Sequence, residues 1–251
     1  MNGLQSELLK YKRTLMKKLI LLLPLFFALY AIVVRLLMPP DYLGSWKMLV
    51  ALVFNWWPVL FLPLGLALFA TLSAAQEKKA GNYRALRAHD TSAAMLWVRK
   101  IVCMAMLSFC TTVILSIVTL CVGLITSSGI PPMRDIFLGS LVCWLGSLAL
   151  LPIQLWAATW KGIFLSMGIG FAGMLGGVLA AQETVWFAVP WAWATRLMAP
   201  IIGVHPNGTL LHPGDPLLNP SVIPLGLVLS LTTFVLLTAV TAFWFQRREV
   251  K

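Results

Sequence analysis

The chain has 251 residues and a net charge of +11, and it is 60% hydrophobic against only 11% charged. Its mean hydropathy of +0.89 excludes an ordinary soluble domain, in which about a quarter of residues carry charge. The apolar runs are continuous and do not alternate, which excludes an outer-membrane barrel.

A helix of about 20 apolar residues crosses the hydrocarbon core. Six runs meet that length: Leu19–Leu37, Met48–Ala75, Ile101–Thr126, Ile136–Ala158, Gly162–Ala181 and Val222–Phe245. An all-α polytopic membrane protein with six transmembrane helices, forming one domain over residues 1–251, is therefore expected. Fifteen of the nineteen Lys and Arg residues fall before the first span, between spans two and three, between four and five, and after the last. The positive-inside rule then puts both termini in the cytoplasm. The basic charge sets topology, and no nucleic-acid partner is implied.

In chain order, residues 1–18 mix Leu4, Leu8, Leu9, Leu15 and Met16 with five cations. This suits an N-terminal helix lying in the headgroup layer against anionic membrane lipids. The following span has no small-residue cleavage site and reads as a retained helix. Pro24, Pro58 and Pro63 remove backbone donors and are expected to bend spans one and two. Beside them, Asn55, Trp56 and Trp57 are candidates for a substrate path, with interhelical hydrogen bonding at a kink as the alternative.

Residues 76–100 (QEKKAGNYRALRAHDTSAAMLWVRK) are the main polar interruption on the cytoplasmic side. A Gly81-Asn82 break precedes a short helical run from Tyr83 to His89, with Tyr83 and Leu86 on adjacent faces. Asp90-Thr91-Ser92 is a helix-start signal. A one- or two-turn helix with an aromatic anchor and flanking cations can plug into a groove on a soluble partner; the alternative is a solvated loop.

Span five repeats small residues at a spacing of four, Gly168/Ala172/Gly176 and Gly173/Gly177, which lets helix backbones approach closely. No strand precedes its GxGxxG string, so a dinucleotide site is not implied. The far-side excursion, residues 182–221, is rich in Pro, Gly and Trp, and Phe187–Ile202 is expected to form one or two short interfacial helices. Trp186, Trp191 and Trp193 fit an aromatic belt at the membrane interface. His205, His212 and Asp215 lack the regular spacing of a metal site. Cys103, Cys110, Cys121 and Cys143 all fall in apolar spans as small core residues.

Phosphate-loop, HExxH and GxSxG motifs are absent. The spans hold no paired carboxylates, and only Arg35 and Lys161 approach the membrane as deep ionisable groups. No catalytic residue, metal ligand or cofactor is assigned, and the energy for any transport must come from another subunit.

The pattern E-x-x-x-G-N-Y-R-x-L-R-x-H from Glu77 to His89, followed by Lys100, resembles the cytoplasmic loop of ABC-2 type exporter permeases. Glu7-x-x-Lys10-x-Lys12-Arg13-Thr14, Phe54-Asn55-Trp56-Trp57-Pro58, Val189-Pro190-Trp191-Ala192-Trp193, Arg196-Leu197-Met198 and His205-Pro206-Asn207-Gly208 make the likeness closer to permease subunits of lantibiotic-immunity ABC transporters, the MutE/EpiE-like branch. The resemblance implies an ABC-2 permease fold whose loop is a coupling helix entering a groove on an ATPase. Its residues would be Glu77, Gly81, Asn82, Tyr83, Arg84, Leu86, Arg87 and His89.

The resemblance further implies two copies of that ATPase, which binds ATP and Mg, and a second homologous permease subunit or a homodimer. The complex would expel lantibiotics or similar cationic antimicrobial peptides from the bacterial cytoplasmic membrane. Asn55, Trp56, Trp57, Trp191, Trp193 and Arg196 would line the substrate path, and Gly168, Gly173, Gly176 and Gly177 a helix-packing seam. A lipid, drug or other peptide is the alternative cargo, and a membrane sensor or assembly subunit the alternative role.

Overall fold

A computed structural model describes residues 3–11, 14–37, 45–81 and 92–248, without the side chains of Ala31, Arg35 and Leu36. In a bilayer every backbone polar group must find an internal partner, so apolar runs of this length resolve as helices. They are α1 (Gly3–Tyr11), α2 (Leu15–Leu37), α3 (Trp46–Trp56), α4 (Leu62–Lys79), α5 (Ala93–Thr126), α6 (Met133–Ser147), α7 (Leu150–Lys161), α8 (Ile163–Ala181), α9 (Pro190–Ile202) and α10 (Val222–Arg247). The spans are α2, α3–α4, α5, α8 and α10, with α6–α7 forming a sixth span bent by 45°. The protein is an all-α polytopic membrane protein. One face of the bundle gathers α1, the end of α4, the start of α5 and the end of α10; it is called the terminal face here, and the opposite one the far face.

The boundaries differ from the hydropathy reading in three places. α5 starts eight residues before Ile101 and runs for 34 residues, about 50 Å at 1.5 Å per residue. That exceeds a hydrocarbon core of about 30 Å, so its first turns project beyond the apolar layer on the terminal face. α4 continues through Lys79 rather than stopping at Ala75. The N-terminal helix ends at Tyr11, and Leu15 and Met16 already belong to α2.

The expected bend in span two is a widened turn over Trp57–Phe61, where the Leu62 N–H bonds the Trp57 carbonyl five residues back. Pro58 inside the turn and Pro63 just after it have no N–H groups of their own, which removes two of the donors a regular ladder needs. Trp57 stacks on Phe61 at 5.9 Å and meets the Phe27 ring at 5.7 Å, packing the far half of the span on α2. In span four the break before Leu150 frees carbonyls inside the membrane. Ser230 of α10 donates to the Leu145 carbonyl at 2.6 Å, and Ser147 to Trp144 at 2.9 Å.

Two large apolar clusters fill the bundle, with a smaller third around Ala149, Ala181, Trp186 and Trp193. The terminal half centres on Trp97, Phe69, Met104 and Phe245; Trp97 stacks on Phe245 at 4.6 Å and donates its indole N–H to Thr241 at 2.9 Å. The far half centres on Phe54, Trp57, Leu115 and Leu197. A polar node joins α4, α7 and α8 deep in the bundle: Ser166 donates to the Gln154 side-chain oxygen at 2.8 Å and lies 3.2 Å from the Ala67 carbonyl. Outward, α8 and α10 expose Phe164, Phe171, Leu179, Val228, Val235 and Leu236. Such faces are stable only against lipid or another apolar surface.

Candidate functional site

The terminal face holds a closed ring of four charges that no local sequence pattern announces. Glu7 and Lys10 lie one turn apart on α1 and pair at 2.7 Å, the i,i+3 spacing that places them side by side. Glu77, in the last turns of α4, accepts from Lys10 at 2.9 Å and from Lys100 of α5 at 2.8 Å. Lys100 returns to the second oxygen of Glu7 at 3.3 Å. Two anions and two cations alternate, so the ring is neutral overall. Lys100 and both carboxylates are nearly inaccessible, and only Lys10 is partly open.

Burial of a charge is tolerated only when it is fully paired, and losing one partner of a buried pair costs about 3–5 kcal/mol. The ring is therefore a specific fastening for α1, which as a nine-residue helix would be marginal alone. Three further contacts complete it. The Tyr11 hydroxyl shares a 2.7 Å hydrogen bond with Ser73 of α4. Gln76 donates to the Lys10 carbonyl at 3.0 Å, satisfying one of the open acceptors at the end of α1. Lys100 lies 6.0 Å from the centre of the Tyr11 ring. Burial pushes the Tyr11 phenol up to about 12, against the opposing pull of Lys100, so it stays neutral.

The geometry fixes the two ends of the connection between α4 and α5. α4 stops at Ala80–Gly81, where Gly81 takes φ 96°, a left-handed conformation that favours glycine. α5 starts at Ser92, whose side chain accepts the Met95 N–H at 3.2 Å, as the capping signal predicted. The connection expected over residues 76–100 is thus reduced to a short segment, because residues 76–79 continue α4 and 93–100 begin α5. Asn82, Tyr83, Arg84, Leu86, Arg87 and His89 lie outside the described residues, as do Asp90 and Thr91. Gly81 is exposed beside them. Glu77 is inside the ring, where its carboxylate is enclosed by Lys10 and Lys100.

On the far side, α9 forms where short helices were expected, but it does not lie on the surface. It packs lengthwise against α6 and α8, with residues 192–199 buried. The aromatic-belt reading is corrected for Trp186 and Trp193, which are buried by neighbouring protein; Trp193 donates to the Phe187 carbonyl at 3.0 Å. Buried Arg196 donates to the Leu217 carbonyl at 2.8 Å, and its guanidinium lies 5.9 Å from the Trp186 ring centre. Asn55 donates to the carbonyls of His205 and Pro206 at 3.2 and 3.1 Å, pinning the His205–Gly208 turn to α3. Trp57 is buried; of the six path candidates Trp56 is the exposed one.

The glycine seam of α8 divides in two. Gly173 and Gly177 admit Trp191 of α9, since a Cβ on Gly177 would stand 2.8 Å from the Trp191 backbone. Gly168 and Gly176 open outward with nothing within 4 Å. Among the described residues no three His, Cys, Asp or Glu side chains converge as metal ligands; His205 accepts the Asn207 N–H in a turn.

Glu7, Glu77 and Lys100 are the functional residues that spacing alone did not bring together. They are separated by up to 93 positions, and hydropathy placed Glu77 and Lys100 outside the spans. The available signal was compositional. Glu7 and Glu77 are two of only eight acidic residues in the chain, and both stand within a few positions of lysines on helix ends.

Comparison with known proteins adds one relationship. Residues 3–177 match the family model described as ABC-2 family transporter protein. No curated protein and no solved structure matches the chain.

Proposed function

The chain belongs to the ABC-2 family of transporter proteins, and on that footing we propose that it is the permease half of an exporter that clears lantibiotics or similar cationic antimicrobial peptides from the bacterial cytoplasmic membrane. The family makes it a membrane permease subunit that works with a separate ABC ATPase. In the proposed complex two copies of that ATPase bind ATP and Mg, and a second permease, homologous or identical, completes the pathway.

One observation carries the mechanical part of the reading. The segment between Gly81 and Ser92 joins two long helices whose ends are locked together through α1 by buried ion pairs. A push on this segment by the ATPase is delivered to a fastened unit of α1, α4 and α5, and from there to α2, α7, α8 and α10, which pack on it. This chain supplies levers and a pathway and does no covalent chemistry. The cargo rests on the sequence likeness alone. A lipid or drug cargo is the second reading, favoured by the far-side segment 182–221, which carries only three formal charges and no acidic patch for a cationic peptide.

Two experiments separate these layers. Tyr83→Asp with Leu86→Asp is expected to abolish co-purification with the ATPase while leaving membrane insertion intact; normal co-purification overturns the docking assignment. Co-expression with ATPase and sister permease in a sensitive bacterium is expected to protect against lantibiotics and not against unrelated drugs. An assembled, ATP-hydrolysing complex that gives no protection discards the cargo and keeps the permease.

A further inference from the structure

The fastening of α1 creates a second feature. Between α1, α2 and α5 lies a groove of about 670 Å³, within the range of about 300–1,000 Å³ typical of small-ligand sites. Its walls are mainly apolar, with Leu9 from α1, Leu21 from α2 and Ile114 from α5. Among the described residues the polar side chains that line it are Gln5 and Tyr11 of α1, Lys17 of α2 and Cys110 of α5. Lys17 is exposed, and Lys18 is exposed next to it. Glu7 of α1 and Glu77 of α4 are both paired inside the ion ring with Lys10 and Lys100, so neither is spent on Lys17 and the mouth keeps its positive charge.

We propose that this groove binds one anionic phospholipid of the leaflet on the terminal face, its acyl chain between α1 and α5 and its headgroup on Lys17. The groove opens sideways from a membrane-embedded bundle, so what enters it comes along the bilayer. A cationic cargo would meet Lys17 as a like charge. A zwitterionic lipid would gain the apolar walls without the headgroup attraction. α1 is held rigidly as a roof by Glu7, Lys10, Tyr11 and Gln76, which makes this a preformed site, unlike the open faces of α8 and α10. A lipid seated there would contact the same α1 that the ion ring ties to the helix ends of the cytoplasmic connection.

The test uses the full chain in nanodiscs doped with phosphatidylglycerol or phosphatidylcholine carrying a diazirine on the acyl chain, with crosslinks mapped by peptide mass spectrometry. Labelling is expected to concentrate at residues 107–114 and 5–9. Phosphatidylglycerol should exceed phosphatidylcholine by about fivefold, the preference one lysine facing an anionic surface supplies. Lys17→Glu should bring that ratio to about one or below while zwitterionic labelling persists. Ile114→Trp, whose larger side chain lines and narrows the groove, should lower labelling there and spare the outer faces of α8 and α10. Equal labelling by both probes, or groove labelling no stronger than on α8 and α10, overturns the proposal and marks ordinary boundary lipid. No labelling at all in the groove overturns it too.

Discussion

Replacing Lys100 with Met takes one of two cations out of the ring and leaves Glu7 and Glu77 sharing Lys10. Lys100 and both carboxylates are only 3–4% exposed, so water does not compensate, and a broken buried pair costs about 3–5 kcal/mol. The cheapest escape is to release α1, which is short and attached through few apolar contacts, chiefly Leu4, Leu8 and Tyr11. At about 1.4 kcal/mol per decade the released population rises by about 150- to 5,000-fold.

Cys103 reports it. The thiol is fully buried in the cluster that contains Tyr11, within electrostatic reach of Glu7 and Lys10. The exposed thiols of Cys110 and Cys121 can be removed by serine substitution, leaving Cys103 and Cys143 buried. Maleimide labelling of Cys103 then tracks the released population as long as reclosing outpaces reaction. Lys100→Met should label at least about 150-fold faster than its parent. Glu77→Gln with Lys100→Met removes an anion together with a cation and should label more slowly than the single variant, a coupling on the order of 1–3 kcal/mol. Parental labelling in Lys100→Met, or faster labelling in the double variant than in the single, refutes the ring as the fastening of α1.

Gly177→Ala should lower the melting temperature in detergent, because its new methyl meets the Trp191 backbone, which cannot rotate away; overpacking of this kind costs about 1–3 kcal/mol. Gly176→Ala faces open space and should stay within about 0.5 kcal/mol of the parent, so equal losses in the two variants would contradict the division of the seam. Asn55→Leu strips both hydrogen bonds from the His205–Pro206 carbonyls, about 1–3 kcal/mol, and should speed proteolysis within residues 203–215. Asn55→Asp cannot donate once its carboxyl is ionised and should not rescue it at alkaline pH; a protease-resistant Asn55→Asp there would show that the turn is held by something else.

Hydropathy made the spans legible because lipid contact imposes a uniform demand on every turn of α8 and α10. It failed where demand comes from protein instead of lipid. Trp97 and Lys100 extend α5 because they are buried by other helices, and no property of residues 93–100 alone records that. The same cause hid the ring, whose members attract one another only after α1, α4 and α5 have met. Trp186 and Trp193 misled for the converse reason. An amphipathic ring suits the membrane interface and a protein core with a carbonyl in reach equally well, and the Phe187 carbonyl decides for Trp193. Ser92 was readable because capping is settled within four residues.

The widened turn at Trp57–Phe61 has a consequence for how this span can change through evolution. One residue advances a helix by about 100°, so the two halves are phased to different neighbours by a count of residues, α3 towards α9 and α4 towards α7 and α8. Deleting a single residue from 57–61 would leave an unblemished hydrophobic profile of ample length. Because the widened turn holds one residue more than a regular one, that deletion restores the regular ladder and keeps the two halves near their present phase. A deletion in the flanking helices would instead swing Glu77 away from Lys100 and Ala67 away from Ser166. Length changes are expected to be tolerated in the turn and purged from the helices on either side, while Trp57 and Phe61, which pack on Phe27, are expected to vary little among its descendants.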